Sequence, residues 1–338
     1  MSPYQLWRKR IFGWLSLALI LQASSVGSAQ AGAAPIDKVT TAYTTIGGII
    51  TPFWITYEKG IFQKYGLDPT LKFIASGPVI VSALVAGEVD ITTAGAEPIV
   101  AAILGGAELT IVSFVARTTP LMLYVQPTVT QWEQLKGGIV AVSRLTSSSA
   151  YMAKVGLRQA GLEPMKDVAI IQAGGIPESF AALQGGKVQG AMLSPPTTYK
   201  AEAAGFKRLW NGLGVEYPSL TLATRKAFLK NSEDVALRFL QAVSEGIRVF
   251  KTDKEAAIAV MSKYTKVTDR KVLENTYNDN KEVHELTLRP TVTGIKSILE
   301  TLSASSPKAG SARPEDFIDS RLVRKLEESG FFKNLIGR

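Results

Sequence analysis

The sequence has no cysteine and only one histidine among its 338 residues. Without a thiol the chain cannot form a disulfide, use a cysteine nucleophile, bind a metal through thiolates or carry a lipid on an N-terminal cysteine. The single histidine, His284, has no metal-ligand spacing or catalytic triad pattern around it, so we expect it on the surface. No HExxH, GxSxG, Walker or GxGxxG motif appears in a suitable context. We therefore expect no cofactor, no metal site and no catalytic activity.

Long apolar runs are also scarce, and the one near the N-terminus is short. Residues 8–10 are basic, residues 11–21 are apolar, and residues 28–31 contain small side chains in the order of a cleavage site. This pattern predicts a cleaved secretory signal over residues 1–31. The apolar run is too short for a bilayer core, which needs about 20 residues, and this argues against an uncleaved anchor. We expect a mature chain in the periplasm that does not insert into the membrane.

Strong charge of one sign is missing as well. Lys and Arg total 38 against 29 Asp and Glu, a formal net charge of +9, and the basic residues are scattered along the chain. A nucleic-acid partner would require a clustered basic stripe, so we expect none. A chain of this length with 46% hydrophobic residues exceeds one ordinary core and predicts two domains.

Short β-rich runs alternate with helical segments in two successive series. Prolines stand at five of the predicted helix starts, where a missing N–H is harmless: Pro52, Pro78, Pro98, Pro177 and Pro196. The predicted strands are residues 39–44, 70–75, 89–94 and 109–116, and then 138–143, 168–172 and 188–193. Alternation of this kind predicts parallel-type sheets flanked by helices.

After about residue 222 the pattern changes to amphipathic helices. We predict them at residues 231–250, 252–264, 269–280 and 315–329, with a surface loop at residues 303–314. Thr252 and Glu255 have the spacing of a capping box. These helices need a sheet to cover, and the first series provides one.

The predicted fold class is α/β, with two lobes joined by two crossings near residues 118–123 and 218–223. Lobe 1 is discontinuous and comprises residues 36–119 and 222–338, while lobe 2 comprises residues 120–221. Ligands of open α/β sheets bind at the carboxyl ends of the strands, which here would line the cleft between the lobes.

Several segments resemble a known family in the right order along residues 38–330. They are WITYEKGIFQKYGLD at 54–68, LVAGEVD at 84–90, GAEP at 95–98, LKGG at 135–138, SSS at 147–149 and AGF at 204–206. The chain resembles the periplasmic solute-binding proteins of ABC importers for nitrate, taurine, aliphatic sulfonates and pyrimidine precursors, the NMT1-like family. The resemblance implies a Venus-flytrap fold, one small ligand per monomer and delivery to a membrane permease. SRLTS at 143–147 replaces the Gly-rich turn common in the nitrate and sulfonate subsets, so ligand identity is not carried over.

Hydroxyl side chains cluster at the start of a predicted second-lobe helix. Ser143, Thr146, Ser147 and Ser148 would present hydroxyls and free amides, and a helix N-terminus favours an anion. Ordinary N-capping is the alternative and needs only one of them.

Four other strand-to-helix turns carry small or hydroxylated residues that would let a ligand approach the backbone closely. The alternative is that they are flexible loops. The candidates are Thr44, Thr45 and Gly48 in the first turn, Ser76 and Gly77 in the second, and Gly175 and Ser194 in the second lobe.

Charged and aromatic candidates leave the charge of the ligand open. Arg117 and Arg144 could each pair with an acidic ligand or form a structural salt bridge. Glu97 could bind an amine or complement a helix dipole. Trp54 could stack on a ring or belong to the core.

The expected function is a solute-binding component of an ABC importer, acting as a monomer by closing two lobes around its ligand. Two alternatives remain: a ligand-binding subunit of a sensor system, and an exported hydrolase or lyase using the same cleft.

Overall fold

The computed structural model describes residues 36–303 and 306–337, so the predicted signal over residues 1–31 lies outside the described residues. Ten strands in these ranges form two five-stranded sheets. The strands are β1 (Asp37–Tyr43), β2 (Leu67–Phe73), β3 (Ile91–Ala94), β4 (Leu109–Ala116), β5 (Met122–Val125), β6 (Ile139–Val142), β7 (Ala169–Gln172), β8 (Gly190–Leu193), β9 (Lys207–Asn211) and β10 (Leu220–Arg225).

Helices cover both sheets. They are α1 (Thr51–Glu58), α2 (Ile61–Lys64), α3 (Gly77–Ala86), α4 (Ala96–Leu104), α5 (Ser148–Gln159), α6 (Ile176–Gln184), α7 (Thr197–Ala203), α8 (Lys226–Asn231), α9 (Glu233–Thr252), α10 (Lys254–Thr265), α11 (Arg270–Lys281), α12 (Val292–Ser303), α13 (Pro307–Ser311), α14 (Arg321–Glu328) and α15 (Phe331–Ile336). Among the described residues, no helix combines the length and the apolarity required to cross a bilayer.

The two sheets have the same plan. The first sheet has the order β2-β1-β3-β10-β4 and the second has the order β7-β6-β8-β5-β9. The first half of the protein is here the first sheet with the helices on it, α1–α4 and α8–α15; the second half is the second sheet with α5–α7. The chain crosses between the halves twice, after β4 and after β9, which confirms the predicted α/β organisation with two crossings.

Both sheets are mixed rather than purely parallel. β10 runs antiparallel to β3 and β4, and β5 runs antiparallel to β8 and β9. Each of these strands is the first after a crossing. A chain that leaves one sheet at the carboxyl edge of its strands enters the other sheet at the same edge, so its first strand must run the opposite way.

The first half is held by apolar packing on both faces of its sheet. Every residue of β4 is buried, as expected for a strand covered on two sides. Phe53, Phe62 and Phe239 join α1, α2 and α9 in one aromatic cluster with ring centroids 5.0–6.1 Å apart. Gly246 in α9 allows a close approach to α1, since a Cβ there would lie 1.9 Å from Thr56 Oγ1.

Several local predictions need correction. Asp253, not Thr252, caps α10: its Oδ1 accepts from the Ala256 amide at 2.9 Å, while the Thr252 hydroxyl donates back to the Arg248 carbonyl. The stretch expected to be a loop at 303–314 contains α13. The strands β5, β9 and β10 and the helix α12 were not predicted, because the segments that they pack against lie far away in the sequence.

Candidate ligand-binding cleft

A cavity of about 430 Å³ lies where the carboxyl ends of the strands of both sheets meet. The turns that follow β1, β2, β6, β7 and β8 all contribute to its lining. Ten of the residues proposed from the sequence line it together: Thr44, Thr45, Ser76, Gly77, Ser143, Arg144, Ser147, Ser148, Gly175 and Ser194.

On the side of the first sheet, Ser76 stands at the N-terminus of α3 with a hydroxyl that has no partner. The residue is extended and forms no side-chain cap. It is only 6% exposed, and its Oγ has no hydrogen-bond partner among the described residues. A buried hydroxyl without a partner costs about 1–3 kcal/mol. Ser76 also lines the cavity, but its Oγ is itself shielded from it, so a bound molecule would reach the hydroxyl after rotation of the side chain to another rotamer.

On the side of the second sheet, the hydroxyls at the N-terminus of α5 already have partners. Ser147 Oγ donates to the Arg144 carbonyl at 2.7 Å and caps the Ala150 amide. The Ser143 and Ser149 hydroxyls lie 2.8 Å apart and both contact Ser147. Of the two sequence-based readings, this network favours N-capping for Ser147.

The neighbouring Ser148 links the two sides of the cleft. Tyr217, in the segment of the second crossing, donates its hydroxyl to Ser148 Oγ at 2.7 Å. Gly95, which precedes α4 in the first half, lies against both groups: a Cβ there would be 2.3 Å from Ser148 Oγ and 2.6 Å from Tyr217 Oη. Thr146 sits in an exposed turn and is not part of the cavity lining, contrary to expectation.

The charged groups of the lining are Arg144, Glu178 and Lys200. Within residues 36–303 and 306–337, none of the three belongs to a salt bridge. Glu178 is in the first turn of α6 and folds back on it, with Oε2 2.4 Å from where a Cβ of Gly175 would lie. The carboxylate thus complements the N-terminus of its own helix, and the three charged groups together give the lining one net positive charge.

Sequence reasoning missed Lys200 and Glu178. A signal for Lys200 was present, since it follows the lining residue Pro196 by four positions on one helix and therefore shares its face. A signal for Glu178 was present too, since it lies at the start of α6, directly after the turn at Gly174 and Gly175.

Apolar side chains complete the lining. Ile46 and Phe73 are 49% and 45% exposed although they are large hydrophobic residues, and both line the cavity. The Phe73 ring packs against Tyr43 with centroids 5.4 Å apart, so its position is supported from behind. Exposed apolar surface inside a cleft is typical of a binding site.

Three sequence-based candidates lie outside the cavity lining. Trp54 is fully buried and stacks on Tyr264 with centroids 4.4 Å apart, which contradicts the predicted ring contact in the cleft. Arg117 forms an ion pair with Glu285, so the structural alternative holds for it. Gly48 is buried under α11, where a Cβ would lie 2.4 Å from Asn280 Nδ2.

Glu97 is also outside the lining. It is partly buried at the start of α4, and its Oε2 atom is buried with no partner among the described residues. Removal from water raises the pKa of Glu97 to about 7, and the charge of Lys154 opposes this only in part. The carboxyl also raises the pKa values of the nearby Tyr151 and Tyr217 hydroxyls, which burial already raises. The proposed amine contact of Glu97 finds no support in this position.

The single histidine is buried, which corrects the surface prediction. The two ring nitrogens of His284 lie 2.8 Å from the Asn280 carbonyl and 2.6 Å from the Ile49 carbonyl. Burial lowers the pKa of His284 to about 4. Among the described residues, no group of three or more His, Cys, Asp or Glu side chains is arranged to hold a metal ion.

Two half-domains of the same topology, with a lined cavity where their strand ends meet, define the fold class of periplasmic binding proteins. The solved aliphatic sulphonate binding protein SsuA of Escherichia coli superposes with a TM-score of 0.71 at 19% identity, covering 85% of this chain and 99% of that one. The nitrate-binding protein NrtA of Synechocystis PCC 6803 gives a TM-score of 0.70 at 15% identity, covering 87% of this chain and 89% of that one.

Sequence comparison identifies the family. The model of the NMT1-like family matches residues 32–264. YtlA of Bacillus subtilis, which carries the name of a binding protein, is 24% identical over 267 residues, covering 75% of this chain and 79% of YtlA. The chain belongs to the NMT1-like family.

Proposed function

We propose that the protein is the exported solute-binding component of an ABC importer, and that its ligand is a small organic acid with one negative charge and an apolar body. The ligand binds in the cavity between the halves and is handed unchanged to a membrane permease. The charged residues of the lining support a negative charge of the ligand, which the sequence left open.

The observation that supports a negatively charged ligand is the pair of cations at the cavity. Arg144 and Lys200 face it without a salt bridge among the described residues, while Glu178 folds back on its own helix. An anion with a single charge balances the two cations and the carboxylate. Arg144 can also hold a carboxylate or sulfonate through two parallel hydrogen bonds.

The position of the polar head is supported by Ser76. Its buried hydroxyl can donate to an oxygen of the ligand, which removes the cost of an unpaired group. The N-terminus of α3 adds free amides and a partial positive charge at the same place.

The apolar body is supported by Ile46 and Phe73, whose exposed side chains a ligand would cover. At about 430 Å³ the cavity accommodates a molecule larger than an inorganic ion. The names of SsuA and NrtA each specify an anion, a sulphonate and nitrate, which agrees with the proposed sign of the charge.

Location and partners follow the same proposal. The secretory pattern over residues 1–31 would export the chain, and the structural neighbours SsuA and NrtA are periplasmic. We place the lobes at residues 36–119 with 222–338 and at 120–221, and the mature chain acts as a monomer beside its permease. No observation favours the sensor subunit, and the buried His284 gives no support to a hydrolase or lyase.

A thermal-shift screen tests the proposal. Binding to the folded state alone raises Tm by mass action. Carboxylates and sulfonates with apolar bodies should raise Tm, whereas amines, neutral pyrimidines and nitrate should raise it less. Calorimetry on the best acid should then give one site per chain, and mass spectrometry should recover the acid unchanged. A cation as the strongest ligand would contradict the charge, and consumption of the acid would contradict the function.

A further inference from the structure

Helix α7 of the second half faces the cavity with one side and the first half with another. Its neighbours Pro196, Thr197 and Lys200 line the cavity, and Tyr199 does not. The Tyr199 hydroxyl instead donates to a carboxylate oxygen of Asp279 on α11. The two residues are 80 positions apart, and the bond joins the two halves directly.

Helix α11 is firmly part of the first half. Leu273 and Tyr277 are buried in its core, and the Tyr277 ring packs on Phe250 with centroids 5.1 Å apart. Asp279 is half-buried against the second half. Burial raises the pKa of Asp279, while the hydrogen bond from Tyr199 and the charge of Arg208 lower it and the charge of Glu202 raises it. The carboxylate is therefore partly removed from water, and its hydrogen-bond partner belongs to the second half.

A second contact across the cleft lies beside the first. The Gly48 amide donates to the Pro195 carbonyl at 3.4 Å, just before α7 begins. Gly48 rests on Asn280, the residue next to Asp279, and Thr45, Ile46 and Ile49 of the same turn line the cavity. The contact between α7 and α11 therefore lies next to the turn that lines the cavity.

We propose that the Tyr199–Asp279 hydrogen bond is a latch that favours the closed arrangement of the two halves in the ligand-free protein. The latch increases the affinity for a solute without touching it. This rests on the proposed function. A hydrogen bond present only in the closed state shifts the equilibrium between open and closed by its own free energy, and the observed Kd depends on the fraction that is competent to bind.

The chain contains a matched control for this bond. The hydroxyl of Tyr124 on β5 donates to Glu202 on α7, also from a tyrosine to a carboxylate. Tyr124 and Glu202 both belong to the second half, so their bond does not change when the halves separate. Tyr124→Phe and Tyr199→Phe remove the same chemical group from two different places.

The experiment measures the distance between the halves without any ligand. Because the chain has no cysteine, Lys187→Cys and Lys271→Cys introduce the only two sites for spin labels, one exposed position on each half. Double electron–electron resonance then measures the distance between the two spin labels, in the labelled pair alone and in combination with each tyrosine variant. Tyr199→Phe should lower the ratio of closed to open molecules by about tenfold, the effect of a net hydrogen bond to a charged group.

Tyr124→Phe should leave the distance distribution of the labelled pair unchanged, although it lowers Tm. Asp279→Asn keeps an acceptor oxygen and should shift the distances less than Tyr199→Phe does. Equal distributions for the labelled pair with and without Tyr199→Phe would overturn the latch. Since no solute is present, that result is distinct from a failure of the proposed function, which would appear as absence of acid binding in the thermal screen.

Discussion

Two helix N-termini, those of α3 and α5, border the same cavity and carry the same kind of side chain, but they use it differently. The Ser76 hydroxyl at α3 is buried without a partner. The Ser147 hydroxyl at α5 is bonded to a carbonyl, two amides and two other hydroxyls. The residues and the helix geometry are alike, and the surroundings decide which hydroxyl is left for a ligand.

The difference shows what a serine at a helix start means. Capping groups are recognised from sequence because they act within a few residues, and the hydroxyls of Ser143, Ser147 and Ser149 are hydrogen-bonded to one another. Ser76 stands before Gly77 and Pro78, and neither provides a side-chain partner. We therefore propose Ser76, and not Ser147, as the ligand contact.

The largest expected effect comes from Glu97, which lies between the two sides and faces the helix α5. Below its ordinary pKa of 4.5 the carboxyl is protonated in both the folded and unfolded protein, so its ionisation does not affect stability. Between 4.5 and about 7 only the unfolded state ionises, and stability falls as the pH rises. Above 7 the loss is constant at about 3 kcal/mol.

Glu97→Gln removes this loss. Urea unfolding from pH 4 to 8 should show equal stability of variant and wild type at pH 4 and a more stable variant, by about 3 kcal/mol, at pH 8. Glu328→Gln, at an exposed position, controls for the loss of one charge. A difference between Glu97→Gln and wild type that is the same at every pH would contradict the buried carboxyl.

The next effect concerns Gly95, where the two sides touch. Gly95→Ala adds a Cβ 2.3 Å from Ser148 Oγ and 2.6 Å from Tyr217 Oη, so these side chains must break their hydrogen bond and rotate away, or the halves must move apart. Overpacking costs about 1–3 kcal/mol, so the affinity for the acid should fall roughly 10- to 100-fold, measured by calorimetry. Gly214→Ala, whose Cβ would meet nothing within 4 Å, should bind as wild type does. Unchanged affinity in Gly95→Ala would argue against close contact between the halves in the bound state.

On the α5 side, Ser147→Ala removes the cap and leaves Ser143 and Ser149 with one partner fewer. The free energy of unfolding should fall by about 1–2 kcal/mol, as for other lost N-caps. Affinity should change little, because the hydroxyl already has partners within the protein. Chemical unfolding and calorimetry on the same sample separate the two quantities. A strong loss of affinity with normal stability would return Ser147 to the ligand contacts.

On the α3 side, the smallest expected effect is a loss of affinity without a loss of stability. Ser76→Ala should weaken binding of the acid about five- to tenfold, the value of one net hydrogen bond. It should leave the free energy of unfolding equal or slightly higher, since an unpaired buried hydroxyl is removed. The two alanine variants thus form a pair, each the control for the other. A stability loss in Ser76→Ala without loss of affinity would assign Ser76 a structural role.

Local sequence patterns were sufficient to predict the fold and much of the cavity lining. Strand-to-helix turns contain glycine, proline and hydroxyl residues for reasons that act over a few positions, so turns such as 44–48 and 76–78 can be located from the sequence. The antiparallel direction of β5 and β10 follows from the crossings and could have been derived from them.

Long-range pairings could not be predicted. Arg117 meets Glu285 across 168 positions, and His284 reaches the Ile49 carbonyl across 235. From the sequence Trp54 could line the cleft, but in the fold α10 places Tyr264 against its ring. A residue type indicates which contacts are possible, and only the packing of distant segments decides which one forms.

The most direct test of the ligand site is a crystal structure of the protein with the acid that raises Tm most. We expect the acid in the cavity with an oxygen within hydrogen-bond distance of Ser76 Oγ, about 2.7–3.2 Å. Its apolar part should cover Ile46 and Phe73, and the bonds among Ser143, Ser147 and Ser149 should be intact. An acid bound through those three serines, with Ser76 Oγ still unpaired, would contradict the account.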